Sequence, residues 1–287
     1  MAKSKDKERT LVLGGGGITG IAWESGVLAG LIESGVGLEL ADRIIGTSAG
    51  SFVGAVLANG YDMRTYYYEL NERRDDSDHA TLFSDIYRLW QNAFIVGRDD
   101  ATKVGQMMGD IVYTRPSRVD LTKRKQAIRQ RLGDVGWHDN LEITAMNAKT
   151  GEVSTFHSHS NVTLEEAVTA SGAVPGIWPH IRLNNRDWID GGMVSPTNAM
   201  LAKGADSIII LAPIADGLGM MPGAFDDAKL LSEHSHVLVI SPDSKSRAEI
   251  GDNIYNPNNI LKIGNAGYEQ GKLLAQRIHL EFCEWVE

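Results

Sequence analysis

The sequence predicts an α/β protein built on a mixed, mostly parallel sheet. Near its start two short apolar runs each end in a glycine cluster and continue as a helical pattern, and later apolar runs pair about compact turns. Thr10-Leu11-Val12-Leu13 ends in four glycines, and residues 21–34 follow with Val27, Leu28, Leu31 and Ile32 on one helical face, closed by Gly35. Ile44-Ile45 leads into Gly46-Thr47-Ser48-Ala49-Gly50, after which residues 52–58 read as a second helix stopped at Asn59-Gly60. A β-α-β-α opening favours parallel strands joined by right-handed crossovers. Further strands are expected at residues 141–146, 154–156, 188–189, 207–211 and 237–240. Hairpins about Lys149-Thr150-Gly151 and Asn184-Asn185 make the sheet mixed, and an amphipathic helix over residues 261–285 is expected to pack on it.

The length of 287 residues suits one large domain, and 43% apolar with 23% charged residues excludes disordered, collagen-like and coiled-coil chains. Residues 1–9 read as a charged tail and 10–287 as a single domain. Residues 61–136 carry Tyr66, Tyr67, Tyr68, Phe83, Tyr87, Trp90 and Phe94 but no strand pattern, and are expected as a cap-like insertion of helices and loops. The net charge of -9 lacks the basic field that nucleic-acid binders use, so no nucleic-acid partner is expected. The single cysteine, Cys283, allows neither an internal disulfide nor a cysteine metal site, which fits a reducing compartment. No signal-peptide core and no run of the roughly 20 apolar residues that cross a membrane is present, so a cytoplasmic protein is expected, with peripheral membrane contact at most. The Asn161-Val162-Thr163 sequon is then without consequence.

The strongest chemical signal is Gly46-Thr47-Ser48-Ala49-Gly50. Gly-x-Ser-x-Gly between an apolar strand and a helix is a nucleophile elbow, in which small neighbours permit the sharp turn that lifts the serine hydroxyl clear of the backbone. A second signal, Gly14-Gly15-Gly16-Gly17-Ile18-Thr19-Gly20, has two readings. Gly15, Gly17 and Gly20 satisfy Gly-x-Gly-x-x-Gly, and Glu39 stands where a ribose-binding acid would, which gives a dinucleotide oxidoreductase as one alternative. On neighbouring parallel strands, however, the loop would lie beside Ser48, where its bare N–H groups could hold an oxyanion. None of His157, His159, His180, His234, His236 and His279 lies in a triad motif, and only 47 residues precede Ser48, too few for the several strands that come before the serine of an α/β-hydrolase. The conspicuous acid is Asp190, at the end of Trp188-Ile189-Asp190 and followed by Gly191-Gly192; a turn or helix-capping role is its plainer reading.

Together these pieces resemble the patatin-like phospholipase family. The loop 14–20, the elbow 46–50 and Asp190-Gly191-Gly192 stand in the family's order, and Ala170-Ser171-Gly172-Ala173-Val174-Pro175-Gly176 is similar to the segment such proteins carry ahead of the aspartate. The resemblance covers residues 11–203. It implies a three-layer α/β/α fold and a Ser-Asp dyad that hydrolyses lipid acyl esters without metal or cofactor. Ser48 would be the nucleophile, Asp190 the proton acceptor, and Gly15, Gly16 and Gly17 the oxyanion hole, with Gly20, Gly46, Gly50, Gly191 and Gly192 as motif glycines. Many members carry Arg or Lys where this sequence has Thr19, which weakens the expectation of a phospholipid head group more than that of ester hydrolysis. A catalytically silent lipid-binding relative is a further alternative.

An ordinary aspartate, with pKa about 3.9, is a weak base for serine, so Asp190 requires a dry surround, which Trp188, Ile189 and Met193 are placed to supply. The basic run that includes Arg115, Arg118, Lys123, Arg124, Lys125, Arg129 and Arg131 reads as a solvated helix face, with contact to anionic lipid as its functional alternative. Tyr66, Tyr67 and Tyr68 are expected as core packing. His157-Ser158-His159 and His234-Ser235-His236 carry no third ligand motif, and no metal site is expected.

Overall fold

The computed structural model describes residues 7–72 and 84–286. Residues 1–6 of the expected tail, and Phe83, lie outside the described residues. Strands β1 (Arg9–Leu13) and β2 (Arg43–Thr47) pair in parallel with Leu13 opposite Gly46. β3 (Leu141–Asn147) pairs in parallel with β2 up to Thr47 opposite Thr144. On its other edge β3 carries β4 (Val153–Phe156), antiparallel through Ile143 opposite Phe156 and Met146 opposite Val153. Because β4 occupies that edge, β6 (Arg186–Asp190) takes up the edge that β2 leaves, antiparallel, with Asp190 opposite Ala145. β5 (Ile181–Leu183) flanks β6, and β7 (Ser207–Leu211) and β8 (His236–Ile240) continue the sheet in parallel beyond β1, for eight strands.

Alternation along the strands makes the three layers. Leu11, Leu13, Ile44, Ile209 and Leu211 face a large core shared with α1 (Gly17–Ile32), α2 (Ala49–Ala58), α7 (Leu164–Ser171) and α10 (Ile260–Glu281). Val12, Ile45, Ile208 and Ile210 face the other side, under α8 (Ala224–Leu231) and the short turn Ala199–Ala202. α1 and α10 touch backbone to backbone at Gly26, where a Cβ would strike the Gly264 carbonyl. Both expected hairpins form; Asn184 and Asn185 turn at φ 48° and 61°, the left-handed pair that a two-residue hairpin needs.

Three boundaries differ from expectation. α1 begins at Gly17, inside the glycine loop, because the first turn of a helix needs no intrahelical donors and Gly20 N–H already donates to the Gly16 carbonyl at 2.8 Å. α2 begins directly after Ser48. α10 ends at Glu281 and a separate turn, Cys283–Trp285, buries Trp285, whose indole N–H donates to Ser207 Oγ at 2.8 Å.

The stretch expected as a cap-like insertion divides between the layers. α3 (Met63–Glu72) packs on α1 and α10, with Tyr66 and Tyr67 buried in the large core as expected and Tyr68 exposed. α4 (Ser84–Gly97) and α5 (Ala101–Thr114) pair, and α5 covers Met146 and Ile189 on the opposite face of the sheet. α6 (Leu121–Leu132) rests on α2 and α7.

Candidate active site

The register of the sheet brings the sequence signals together. With Leu13 opposite Gly46, the glycine loop leaves β1 beside the elbow that leaves β2, and a Cβ placed on Gly15 would lie 3.4 Å from Ser48 Cβ. The elbow and loop are also joined by the Gly50 N–H, which donates to the Gly14 carbonyl at 2.9 Å; any side chain at Gly50 would meet the Leu13 carbonyl. Ser48 sits at φ 52°, ψ -110°, a conformation that costs a residue with a side chain about 1–3 kcal/mol and is held only where surroundings over-determine it. Part of that hold is Ser171 at the end of α7, whose hydroxyl oxygen accepts from the Ser48 N–H at 2.8 Å.

Asp190 arrives from the other direction. Its place opposite Ala145 sets it one step beyond Thr144, the partner of Thr47, so the carboxyl and Ser48 succeed each other along one edge of β3. Asp190 is buried, its N–H donates to the Ala173 carbonyl at 3.1 Å, and its carboxylate accepts from the Gly192 N–H at 2.7 Å. Burial pushes the carboxyl up to about 6, while the Ser48 hydroxyl, the Gly192 N–H and the Arg124 charge pull it back. The direction is the one the sequence reading required. Met193 lines the same cavity, and Trp188 and Ile189 are buried beside it in the strand.

Beneath the pair lies a polar clamp that sequence reasoning missed. Thr144 Oγ1 donates to Thr47 Oγ1 at 2.8 Å, and Asn198 Nδ2 donates to Thr47 Oγ1 at 3.1 Å and to the Gly191 carbonyl at 3.0 Å. It links β2, β3 and the turn after Asp190. The segment 170–176 does the same from above, since Ser171 holds Ser48 and the Ala173 carbonyl holds Asp190. That segment was visible in the sequence; the role of Ser171 was not.

The three glycines expected as an oxyanion hole are not equivalent. Gly15 N–H donates to the Pro196 carbonyl at 2.7 Å and is therefore committed. Gly16 and Gly17 line the cavity, and their N–H groups make no hydrogen bond among the described residues. Gly14 N–H is shared between the Leu211 carbonyl at 3.0 Å and Glu24 Oε1 at 2.9 Å. Glu24 is fully buried, its Oε2 has no partner among the described residues, and burial holds its carboxyl well above the usual range. Nothing in the sequence pattern distinguished it from the rest of α1. Of the remaining motif glycines, Gly46 faces the α2 backbone, Gly20 faces Ala49 and Pro213, Gly191 faces Thr144, and Gly192 lies against Asp190.

Ser48, Asp190, Gly16 and Gly17 open into one cavity of about 500 Å³. Its far wall is apolar, with Trp90, Phe94 and Ile95 from α4 and Ile214, Leu218 and Ile254 from later loops. The aromatic residues that line it are thus Tyr87, Trp90, Phe94 and Tyr255, not the buried Tyr66 and Tyr67. The dinucleotide alternative fails on placement. Glu39 precedes β2, in the turn Leu38–Leu40, and so stands at the opposite end of the strands from the glycine loop, where it cannot meet a ribose bound at that loop.

Among the described residues no helix is long and apolar enough to cross a membrane and no group of three or more His, Cys, Asp or Glu could hold a metal. A family model described as patatin-like phospholipase matches residues 11–203. Lysophospholipase NTE1 of Candida glabrata is 28% identical over 200 residues, and that of Saccharomyces cerevisiae is likewise 28% identical over 200 residues; each alignment covers 69% of this chain and 10% of the relative. The chain thus spans about a tenth of the length of the curated relatives it matches. Among solved structures, VipD from Legionella pneumophila aligns over 96% of this chain and 67% of its own at 12% identity and TM-score 0.45. The type III effector ExoU aligns over 96% and 54% at 16% identity and TM-score 0.44.

Proposed function

The chain belongs to the patatin-like phospholipase family, and from this premise we propose that it is a hydrolase that cleaves lipid acyl esters through Ser48 and Asp190. The observation that carries the reading is the succession of the strained Ser48 and the buried Asp190 along one edge of β3, facing an apolar cavity of about 500 Å³. Asp190 accepts the hydroxyl proton as Ser48 Oγ attacks the acyl carbonyl carbon. The N–H groups of Gly16 and Gly17 receive the developing oxyanion, each such donor contributing about 3–4 kcal/mol to turnover in comparable sites. The tetrahedral intermediate collapses as the ester C–O bond breaks and the departing alcohol takes the proton from Asp190. Water then attacks the acyl-enzyme by the same route and releases the fatty acid. No step calls for a cofactor.

The raised pKa of Asp190, about 6, supports its role as a base, since a proton acceptor works best when its pKa approaches the working pH. The apolar wall formed by Trp90, Phe94 and Ile95 suits an acyl chain. The lysophospholipase relatives suggest single-chain phospholipids as the first substrates to try. The test is hydrolysis of a lysophospholipid by the wild type, Ser48→Ala and Asp190→Asn, with folding followed by circular dichroism. The wild type is expected to release fatty acid and both folded variants to be inactive. Full turnover by Asp190→Asn would remove the dyad and require another base, whereas no fatty acid release by the wild type would leave a silent lipid-binding protein.

A further inference from the structure

Ser48 stands where two spaces meet, the apolar cavity of about 500 Å³ and a small recess of about 40 Å³. Gly17, Ser48, Val174 and Tyr255 wall both. Of these four, Tyr255 alone carries no sequence signal, and it falls outside residues 11–203, which match the family model. It lies in the loop before α10, where its N–H donates to Asn253 Oδ1 at 3.0 Å and the Asn256 N–H donates to the Asn253 carbonyl at 3.0 Å. A further bond, from the Thr19 N–H to the Ile254 carbonyl at 3.2 Å, ties that loop to the glycine loop. The two chains touch so closely that a Cβ on Gly17 would strike the Ile254 carbonyl and lie 3.2 Å from Tyr255 Cδ1. The phenol ring is thus held against one of the two proposed oxyanion donors.

A tyrosine hydroxyl turned into the protein normally finds a partner. That of Tyr255, a half-buried residue, makes no hydrogen bond among the described residues. Burial and the charge of Asp190 hold the phenol above its usual range, so at neutral pH it keeps its proton and can serve as a donor. The other side-chain donors of the cavity wall, Ser48 apart, are placed differently: the Trp90 indole N–H is given to the Pro175 carbonyl at 3.1 Å, and Tyr87 and Gln91 are exposed on α4. The two oxygens of a bound ester are meanwhile unequally supplied. Its carbonyl oxygen has the Gly16 and Gly17 N–H groups, whereas its alkoxy oxygen, which gathers charge as the C–O bond breaks, has only the proton that Asp190 returns. We propose that Tyr255 is a further catalytic residue, whose hydroxyl donates a hydrogen bond to the departing alkoxy oxygen. The electron pair of the breaking C–O bond passes to that oxygen, Asp190 supplies its proton, and Tyr255 retains its own. The inference rests on the hydrolase reading above and deepens it: the site is built for esters of alkyl alcohols, whose leaving oxygen needs a donor.

The experiment compares two esters of one fatty acid, a p-nitrophenyl ester and a monoacylglycerol, in neutral detergent micelles. Each is assayed with the full-length wild type and Tyr255→Phe, and folding is followed by circular dichroism. The substitution keeps the ring against Gly17 and, because the hydroxyl has no partner among the described residues, orphans no group there, so the variant is expected to fold. Nitrophenolate departs as a stable anion, whereas the glycerol oxygen needs a proton and a donor. kcat/KM reports the steps through acylation, so the deacylation shared by both esters does not mask the difference. The ratio of kcat/KM, monoacylglycerol over p-nitrophenyl ester, is expected to fall about tenfold or more in Tyr255→Phe, as for loss of a hydrogen bond to a charged group. An unchanged ratio in the folded variant, whether both rates hold or both fall together, overturns the assignment and leaves the dyad intact. Cleavage of the p-nitrophenyl ester alone by the wild type also overturns it, since the site would then give an alkoxide no help. Cleavage of neither ester by the wild type removes the hydrolase reading, and this inference with it.

Discussion

Ser48 and Asp190 succeed each other along one edge of β3, because Thr47 lies opposite Thr144 and Asp190 lies opposite Ala145. Two strands that approach from opposite directions, β2 parallel and β6 antiparallel, end against consecutive residues of the same neighbour. Chain reversal after β6 and the elbow after β2 then share one small volume, closed below by Thr47, Thr144 and Asn198 and above by Ser171 and Ala173. The arrangement is a property of sheet register, so it survives side-chain motion.

The acid limb of activity should report Asp190. Its carboxyl must be ionised to accept the Ser48 proton, and burial sets its pKa at about 6. kcat/KM is therefore expected to rise with pH through an apparent pKa near 6 and level off above it. A profile that is already flat at pH 5 would assign the limb to another group.

Ser171→Ala should weaken catalysis without removing either proposed reacting group. The substitution leaves the Ser48 N–H without its acceptor in a part-buried setting, a loss of about 1–3 kcal/mol, and frees the strained φ of 52° to relax. The expected result is a roughly 10- to 100-fold fall in kcat with KM nearly constant and the circular dichroism spectrum unchanged. A fall confined to KM would mean that Ser171 acts on binding, not on the elbow.

How far the site was legible follows from what each residue announces locally. Ser48 and the glycine loop sit at strand-to-helix turns, where small residues leave a strong signature, and Asp190 ends an apolar strand at a glycine turn. Ser171, Thr144, Asn198 and Glu24 act through contacts 7 to 151 residues away in sequence, and a buried polar side chain on a helix or strand looks like any other until its partner is known. The same reason explains Arg124, which the composition of α6 presents as one more surface cation and the fold turns inward against Trp178. The layered sheet was readable from alternation; the distribution of α3, α5 and α6 over different neighbours was not, since their apolar faces do not say which core they join.

Glu24→Gln tests the support behind the glycine loop. The side-chain carbonyl of glutamine can still accept from the Gly14 N–H. Burial raises the Glu24 pKa in the fold, so the proton it holds stabilises the native state fully below the unfolded value of about 4.5, and that contribution is lost as pH rises toward the folded value. The variant lacks this loss. Urea unfolding is expected to find Glu24→Gln gaining stability over the wild type at pH 8 compared with pH 5; an equal difference at both pH values would show that Glu24 does not titrate in this range.

Gly50→Ala should act on folding before chemistry. A methyl group there meets the Leu13 carbonyl, and the strain of forced overpacking is commonly about 1–3 kcal/mol. A Tm several degrees lower is expected, together with lost activity, because the Gly50 N–H bond to the Gly14 carbonyl joins the elbow to the loop. An unchanged Tm would contradict this account of the elbow.

The most direct measurement is the site of covalent modification by a fluorophosphonate, a reagent that phosphonylates activated serine hydroxyls. Mass mapping of the labelled wild type is expected to place a single adduct on Ser48, with labelling abolished in Ser48→Ala and greatly slowed in Asp190→Asn. Equal labelling of the wild type and Asp190→Asn, or an adduct on any other residue, would contradict the proposal that this serine and this aspartate act together.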